Sequence, residues 1–240
     1  MVYMGSKRRI ATYILPFLKE HLNGNNYFID AFCGGCNLID KLRYPKRVAN
    51  DYNKYLVALF VYLQKGGELP EFVSKEEYYA VKDNKDAYPD WYVGHVGFNC
   101  SRLGKWFDCY VGLNNGRNYQ QEHNNNIIKQ IQNLKDVVFI STSYENICLP
   151  SCSVIYCDPP YKDTRGYKDK FDHDKFWQWC RDMHHKGHRV FVSEYLAPED
   201  FKCIWEMEIK DSLATNTTHI KTEKLFTLCE QEKQSTLFQI

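Results

Sequence analysis

The 240-residue chain lacks an excess of either charge, with 31 Lys and Arg against 30 Asp and Glu and a net charge of +1. A balance this even gives no global signature of nucleic-acid binding, so any basic face that meets phosphates must be local. No apolar run approaches the roughly 20 residues of a membrane span. The first residues, Met1-Val2-Tyr3-Met4-Gly5-Ser6-Lys7, lack the apolar core of a secretory signal. A soluble, cytosolic protein is expected. The phosphate cradles G-x-G-x-x-G and the Walker lysine motif are absent, which argues against a pyrophosphate ligand. No internal repeat or long low-complexity tract is present. Cys33-Gly34-Gly35-Cys36 has redox or metal spacing but no second C-x-x-C pair accompanies it, so no metal site is expected. The other cysteines are scattered, and Cys157, Cys180, Cys203 and Cys229 sit within apolar patterns that predict reduced, buried thiols.

What the chain has is length enough for one sizeable core and a rhythm of alternating strands and helices. Short apolar runs at 27–32, 48–51, 137–140, 154–157 and 190–193 predict strands, mostly buried on both faces of a parallel sheet. Helices are predicted over 53–64, where Leu56, Leu59, Phe60 and Leu63 share a face, and over 176–183. Beyond Pro198, Cys203, Trp205, Met207 and Ile209 alternate with other side chains as in an antiparallel strand, and 225–228 and 236–240 offer further closing strands. The expected fold class is α/β, a Rossmann-like doubly wound, mostly parallel sheet with antiparallel C-terminal strands and helices on both faces.

The rhythm fails over 66–133, a stretch rich in aromatics and glycine with an asparagine-rich tract near 114–126. It reads as an insertion, dividing the rest into a first part, 1–65, and a second, 134–240. Residues 66–97 carry three lysines against seven acids, a net −4, whereas 98–131 carry Arg102, Lys105, Arg117 and Lys129 against two, a net +2. The second half is the better candidate for touching phosphates. An aromatic-cored subdomain with a solvated polar face is the competing reading.

Two strand ends carry candidate chemistry. Asp30-Ala31-Phe32-Cys33-Gly34-Gly35 runs from a strand into a turn whose missing side chains let a ligand approach the backbone. Asp51 follows at the end of the next strand, the position from which an acid reaches ribose hydroxyls, although an Asp there also serves as a helix cap. A nucleoside without a pyrophosphate fits this pair best. The second strand end is Asp158-Pro159-Pro160-Tyr161, entered from Val154-Ile155-Tyr156-Cys157. The prolines lack amide donors and Pro159 holds Asp158 out of the helical region, which leaves neighbouring carbonyls open as acceptors for a planar amine. Tyr161 offers a ring face for stacking on a base.

Tyr3-Met4-Gly5-Ser6-Lys7, Asp30-Ala31-Phe32-Cys33-Gly34-Gly35, Asn50-Asp51-Tyr52-Asn53 and Asp158-Pro159-Pro160-Tyr161, in that order, resemble the Dam-like adenine-specific DNA methyltransferases of phages and restriction systems. The likeness extends to 97–107, 167–179 and Glu223-Lys224-Leu225-Phe226. It implies S-adenosylmethionine as cofactor and methylation of the exocyclic N6 amine of a flipped adenine. It also implies duplex DNA as partner, with a cognate nuclease in restriction systems, in the cytoplasm of a prokaryotic or phage-infected cell. By the same resemblance Lys7 meets the methionine carboxylate with Tyr3 beside it, Asp30, Phe32 and Gly34 line the cofactor, and Asp51 holds the ribose. Ser143 and Tyr144 flank its adenine. Asp158 stands between cofactor and base, and Pro159, Pro160 and Tyr161 complete the catalytic turn. The insertion becomes the target-recognition subdomain, with Arg102, Lys105 and Arg117 as DNA contacts. Cys36 departs from a pattern that often has glycine, and Ser143 from one that often has Asp. An N4-cytosine or other amino-group methyltransferase shares the Pro-Pro-Tyr turn. A non-catalytic DNA-binding relative and a Cys-Gly-Gly-Cys thiol oxidoreductase are readings from other classes.

Overall fold

The computed structural model describes residues 1–150, 152–161, 171–211 and 219–229. The short apolar runs become β1 (Phe28–Asp30), β2 (Arg47–Asn50), β5 (Val137–Ile140), β6 (Val154–Cys157) and β7 (Arg189–Ser193). A small hairpin, β3 (Leu113–Asn114) and β4 (Arg117–Asn118), lies apart from them, and β8 (Phe201–Asp211) and β9 (His219–Leu228) follow. The main sheet has the order β5-β2-β1-β6-β7-β9-β8. Strands β5 through β7 in that order are parallel, and β9 runs antiparallel to both β7 and β8. The chain winds outward from β1 through β2 to β5, then returns to β6 on the opposite side of β1. That reversal opens a crevice at the carboxyl ends of β1 and β6, where ligands bind in doubly wound sheets.

Alternate side chains of the parallel strands feed two cores. Phe28, Val154, Tyr156 and Phe191 pack on one face with α1 (Ala11–Lys19), α2 (Lys54–Gln64) and α5 (Tyr119–Ile131). Ile29, Ile155, Val190 and Val192 pack on the other with α6 (His173–His185). Capping fixes where these helices start: Asn53 accepts from the amides of Tyr55 and Leu56 at 3.1 and 3.2 Å, and Asp172 from Lys175 at 3.0 Å. No helix among the described residues is long and apolar enough to cross a membrane.

Within 66–133, α3 (Lys75–Asp83) and α4 (Asp90–Gly94) frame a separate small core of Val73, Tyr78, Val81, Val93, Val96, Cys100 and Phe107. It is pressed against α2. A Cβ on Gly94 would lie 2.1 Å from the Tyr55 carbonyl oxygen, so only glycine permits this approach. Tyr55 and Tyr62 of α2 stack on Trp106 and Trp91. The asparagine-rich tract is not loop throughout, because after the β3–β4 turn it forms α5, whose Ile127 and Ile131 join the main core.

Two of the thiols expected to be buried are exposed, Cys203 and Cys229. The strand pairing slips between Cys203 and Trp205, and this bulge carries Cys203 out of the alternation that governs Trp205, Met207 and Ile209. Residues 236–240, expected as a closing strand, and 167–170 of the 167–179 segment lie outside the described residues.

Candidate active site

The carboxyl ends of neighbouring strands bring together groups far apart in the chain. Asp30 ends β1, Asp51 follows β2, Asp158 follows β6, Glu194 follows β7, and Glu223 reaches in from β9. Lys7, at the start of a 3-10 turn and itself buried, enters this acidic group. Its Nζ lies 2.8 Å from Asp158 Oδ1 and 3.7 Å from Glu223 Oε2, and 4.6 Å above the Tyr161 ring. The Tyr161 hydroxyl donates to Glu223 Oε2 at 3.0 Å, and the Tyr195 ring meets Tyr161 edge to face at 4.6 Å. Burial opposes the Lys7 charge, yet Asp158 and Glu223 outweigh it and hold the ammonium pKa above its usual value. One cation does not satisfy so many acids: burial, with Glu223 nearby, keeps the Asp158 carboxyl above the ordinary range despite Lys7.

Beside this network, the glycine turn closes on Asp51. The Gly34 amide donates to Asp51 Oδ2 at 3.0 Å and the Asn53 amide to Oδ1 at 2.8 Å, so Asp51 both bridges to the turn and supports the start of α2. Gly34 has φ +44°, and a Cβ there would sit 2.6 Å from Tyr3 Cε1, so the Tyr3 ring packs directly on the turn. Cys36 adopts φ +55°, a left-handed conformation that glycine takes without strain, and so carries a cost of about 1 to 2 kcal/mol. That explains why its position favours glycine. Burial drives the Asp51 pKa up, and Asp30 well up, Asp30 being raised further by Asp158 and Asp51. Asp30 Oδ1 is fully buried with no hydrogen-bond partner among the described residues.

The other predicted residues divide between this edge and the surface. Phe32 packs against Tyr144 at 5.5 Å and Phe176 at 5.7 Å, so Ser143 and Tyr144 lie beyond β5 on the Phe32 side of the crevice. Asn50 ties this loop to β1, its Nδ2 donating to the carbonyls of Ala31 and Thr142. Pro159 is buried between Asp158 and a half-buried Pro160. By contrast, Arg102 and Lys105 both face Asp108, at 3.9 and 3.0 Å, and Arg117 forms a two-pronged pair with Glu122 at 2.6 and 2.7 Å, all on the insertion surface. Sequence reasoning gave no role to Glu194, Tyr195 or Glu223. The signal for the first two was a polar pair directly after an apolar strand, the same pattern as Asp158. Cys33 and Cys36 are buried with raised thiol pKa values, Cys33 through its hydrogen bond with Cys36 and burial, Cys36 chiefly through burial. Reactive cysteines need the opposite shift. No group of three or more metal-ligating side chains is found among the described residues.

Residues 3–103 match the family of D12 class N6 adenine-specific DNA methyltransferases. The resemblance to adenine-specific methyltransferases read from the motifs is thus borne out over the stretch holding Tyr3, Lys7, Asp30, Gly34 and Asp51. The chain is also similar to type II methyltransferase M.FokI of Planomicrobium okeanokoites, 26% identical over 75% of this chain and 32% of the relative. It is 28% identical to modification methylase StsI of Streptococcus sanguinis over 70% of this chain and 29% of that one. With the retron Ec67 DNA adenine methylase of Escherichia coli it shares 26% identity over 76% of this chain and 73% of the relative. The chain therefore spans about a third of the first two relatives. A solved structure from Haemophilus influenzae aligns over 92% of this chain at a TM-score of 0.38 and 12% identity. The fold rests on the strand order itself.

Proposed function

We propose that the chain is a site-specific DNA adenine methyltransferase that moves a methyl group from S-adenosylmethionine to the N6 amine of adenine. The observation that carries this reading is the acidic strand-end crevice with Lys7 inserted into it. S-adenosylmethionine is a nucleoside with a sulfonium, an ammonium and a carboxylate, and supplies an electrophilic methyl group when bound. Its parts match the groups present: Lys7 for the carboxylate, the buried orphan oxygen of Asp30 for the ammonium, and Asp51 for the ribose hydroxyls. Phe32, Gly34, Tyr3, Ser143 and Tyr144 would line the remainder. A net acidic pocket also suits a ligand of net positive charge.

The target amine is a poor nucleophile, because its lone pair is delocalised into the ring. Asp158 and the Pro159 carbonyl accept its two hydrogens and so localise that lone pair. Pro160 keeps the turn rigid, and Tyr161 stacks on the base through the ring face away from Lys7. The adenine must leave the duplex to reach this crevice, at a cost of a few kcal/mol that stacking offsets in part. The inserted stretch 66–133 serves as target-recognition subdomain between the two parts of the catalytic domain, with Arg102, Lys105 and Arg117 exchanging their surface acids for DNA. A nuclease of the same site specificity is the partner this reading adds in a restriction system. Long-read detection of modified bases in DNA from cells expressing the chain tests it. N6-methyladenine within one short motif is expected, and modification of cytosine instead would move the chain to the N4-cytosine class.

A further inference from the structure

Tyr161 has one hydroxyl proton and two carboxylates within reach. It donates to Glu223 Oε2 at 3.0 Å, while the Asp158 carboxylate bears on it through its charge. Whichever acid takes the proton loses acceptor capacity. Lys7 is divided in the same way, at 2.8 Å from Asp158 and 3.7 Å from Glu223. Glu223 lies on β9, 62 residues beyond Tyr161, in the antiparallel part of the sheet rather than on the parallel strands that build the crevice. It is held there by the β8–β9 ladder, opposite Met207, while the adjoining Leu225 and Phe226 are locked in the two cores.

We infer that Glu223 is a positioning residue: it accepts the hydrogen bond of the Tyr161 hydroxyl and shares the Lys7 charge, so that the lone pairs of Asp158 stay available to the substrate amine. The inference rests on the methyl-transfer reading above and deepens it. Without Glu223 the hydroxyl turns to Asp158, where it competes with the amine for the same acceptor, and the Tyr161 ring loses the anchor that sets its tilt against Tyr195. Asp158 is also faced by Lys7 from the N-terminal turn, Asp30 from β1, Tyr156 from β6 and Tyr161 from its own turn. Glu223 is the neighbouring acid that raises the Asp158 pKa, so removing Glu223 lowers it.

Two variants separate position from fold. Glu223→Ala removes both the acceptor and the charge, whereas Glu223→Gln keeps an acceptor for Tyr161 and removes the charge alone. In methyl transfer to DNA, kcat is expected to fall about tenfold or more in the alanine variant, on the scale of a charged hydrogen bond, and to recover in large part in the glutamine variant. The acid limb of the pH profile should move to lower pH in both, since a negative charge beside Asp158 is gone. A glutamine variant whose pH profile overlays the parent, with no loss in the alanine variant, overturns the inference. A double-mutant cycle of Glu223→Ala with Tyr161→Phe, read by denaturant unfolding, does not depend on activity. Coupled losses support the contact and additive losses refute it. A parent chain that transfers no methyl group sinks the functional reading instead, and the cycle still decides on Glu223.

Discussion

The strand-end crevice and the surface of the insertion both gather charge, but in opposite ways. In the crevice, Lys7 is buried against Asp158 and Glu223, and Asp30 is sealed with an orphan oxygen. On the insertion, Arg102, Lys105 and Arg117 pair with Asp108 and Glu122 in solvent. Exposed pairs of this kind are worth about 0 to 1 kcal/mol and exchange readily for phosphate. Breaking a buried pair costs several-fold more, about 3 to 5 kcal/mol. The difference separates a region whose geometry is costly to disturb from one whose ion pairs are cheap to break.

The largest effect is expected at Asp158. Asp158→Ala should lower methyl transfer by about a hundredfold or more, the scale of removing a preorganised charge-stabilising group. DNA affinity should stay near the parent value, because phosphate contacts dominate it. Radiolabel incorporation and filter binding on the same preparation check both halves. Next come the cofactor ends: Lys7→Ala and Asp51→Ala should each weaken S-adenosylmethionine about tenfold or more, at about 1.4 kcal/mol per decade, as read by calorimetry. If neither changes affinity, the crevice is not the cofactor site.

Asp30 sharpens the comparison through stability. Burial raises its folded-state pKa well above the unfolded value, so the native state binds the extra proton and stability falls as pH climbs from the ordinary carboxylate range through the folded pKa. Asp30→Asn should therefore stabilise the ligand-free protein at neutral pH. The gain should vanish below the usual carboxylate pKa, in unfolding curves taken over pH. In the insertion, Gly94→Ala should destabilise by about 1 to 3 kcal/mol, because the added methyl meets the Tyr55 carbonyl. The smallest folding effects belong to Lys105→Ala and Arg117→Ala, whose ion pairs stand in solvent and are screened by it. Their signature should appear on DNA. A lost phosphate contact lowers the salt slope by about one, and a lost base contact costs about 1 to 3 kcal/mol on the cognate site alone.

What the sequence revealed follows the same division. The parallel strands were legible because each is a short apolar run buried on both faces, and 137–140 and 154–157 coincide with β5 and β6. Asp30, Asp51 and Asp158 were legible because each ends such a run. Helix α5 was hidden because its buried face is partly polar. Gln120 bonds the amide and carbonyl of Val73 and the carbonyl of Val111, and Asn124 bonds the carbonyl of Pro70, so side-chain amides do work that apolar periodicity would have signalled. Helix α1 received no assignment, with Pro16 interrupting its interior. Glu223 was visible as part of the resemblance, two residues before the strand expected over 225–228, but its role depends on β9 crossing antiparallel to reach Tyr161, and strand order is not written in local pattern.

Methylation of adenine in DNA by this crevice can be read directly. The most direct test is incubation of the purified chain with methyl-labelled S-adenosylmethionine and duplex DNA, followed by digestion to nucleosides and separation. Label is expected in N6-methyl-2′-deoxyadenosine from the parent, and lower by about a hundredfold or more from Asp158→Ala. Label in another nucleoside, or equal label from both proteins, would contradict this reading.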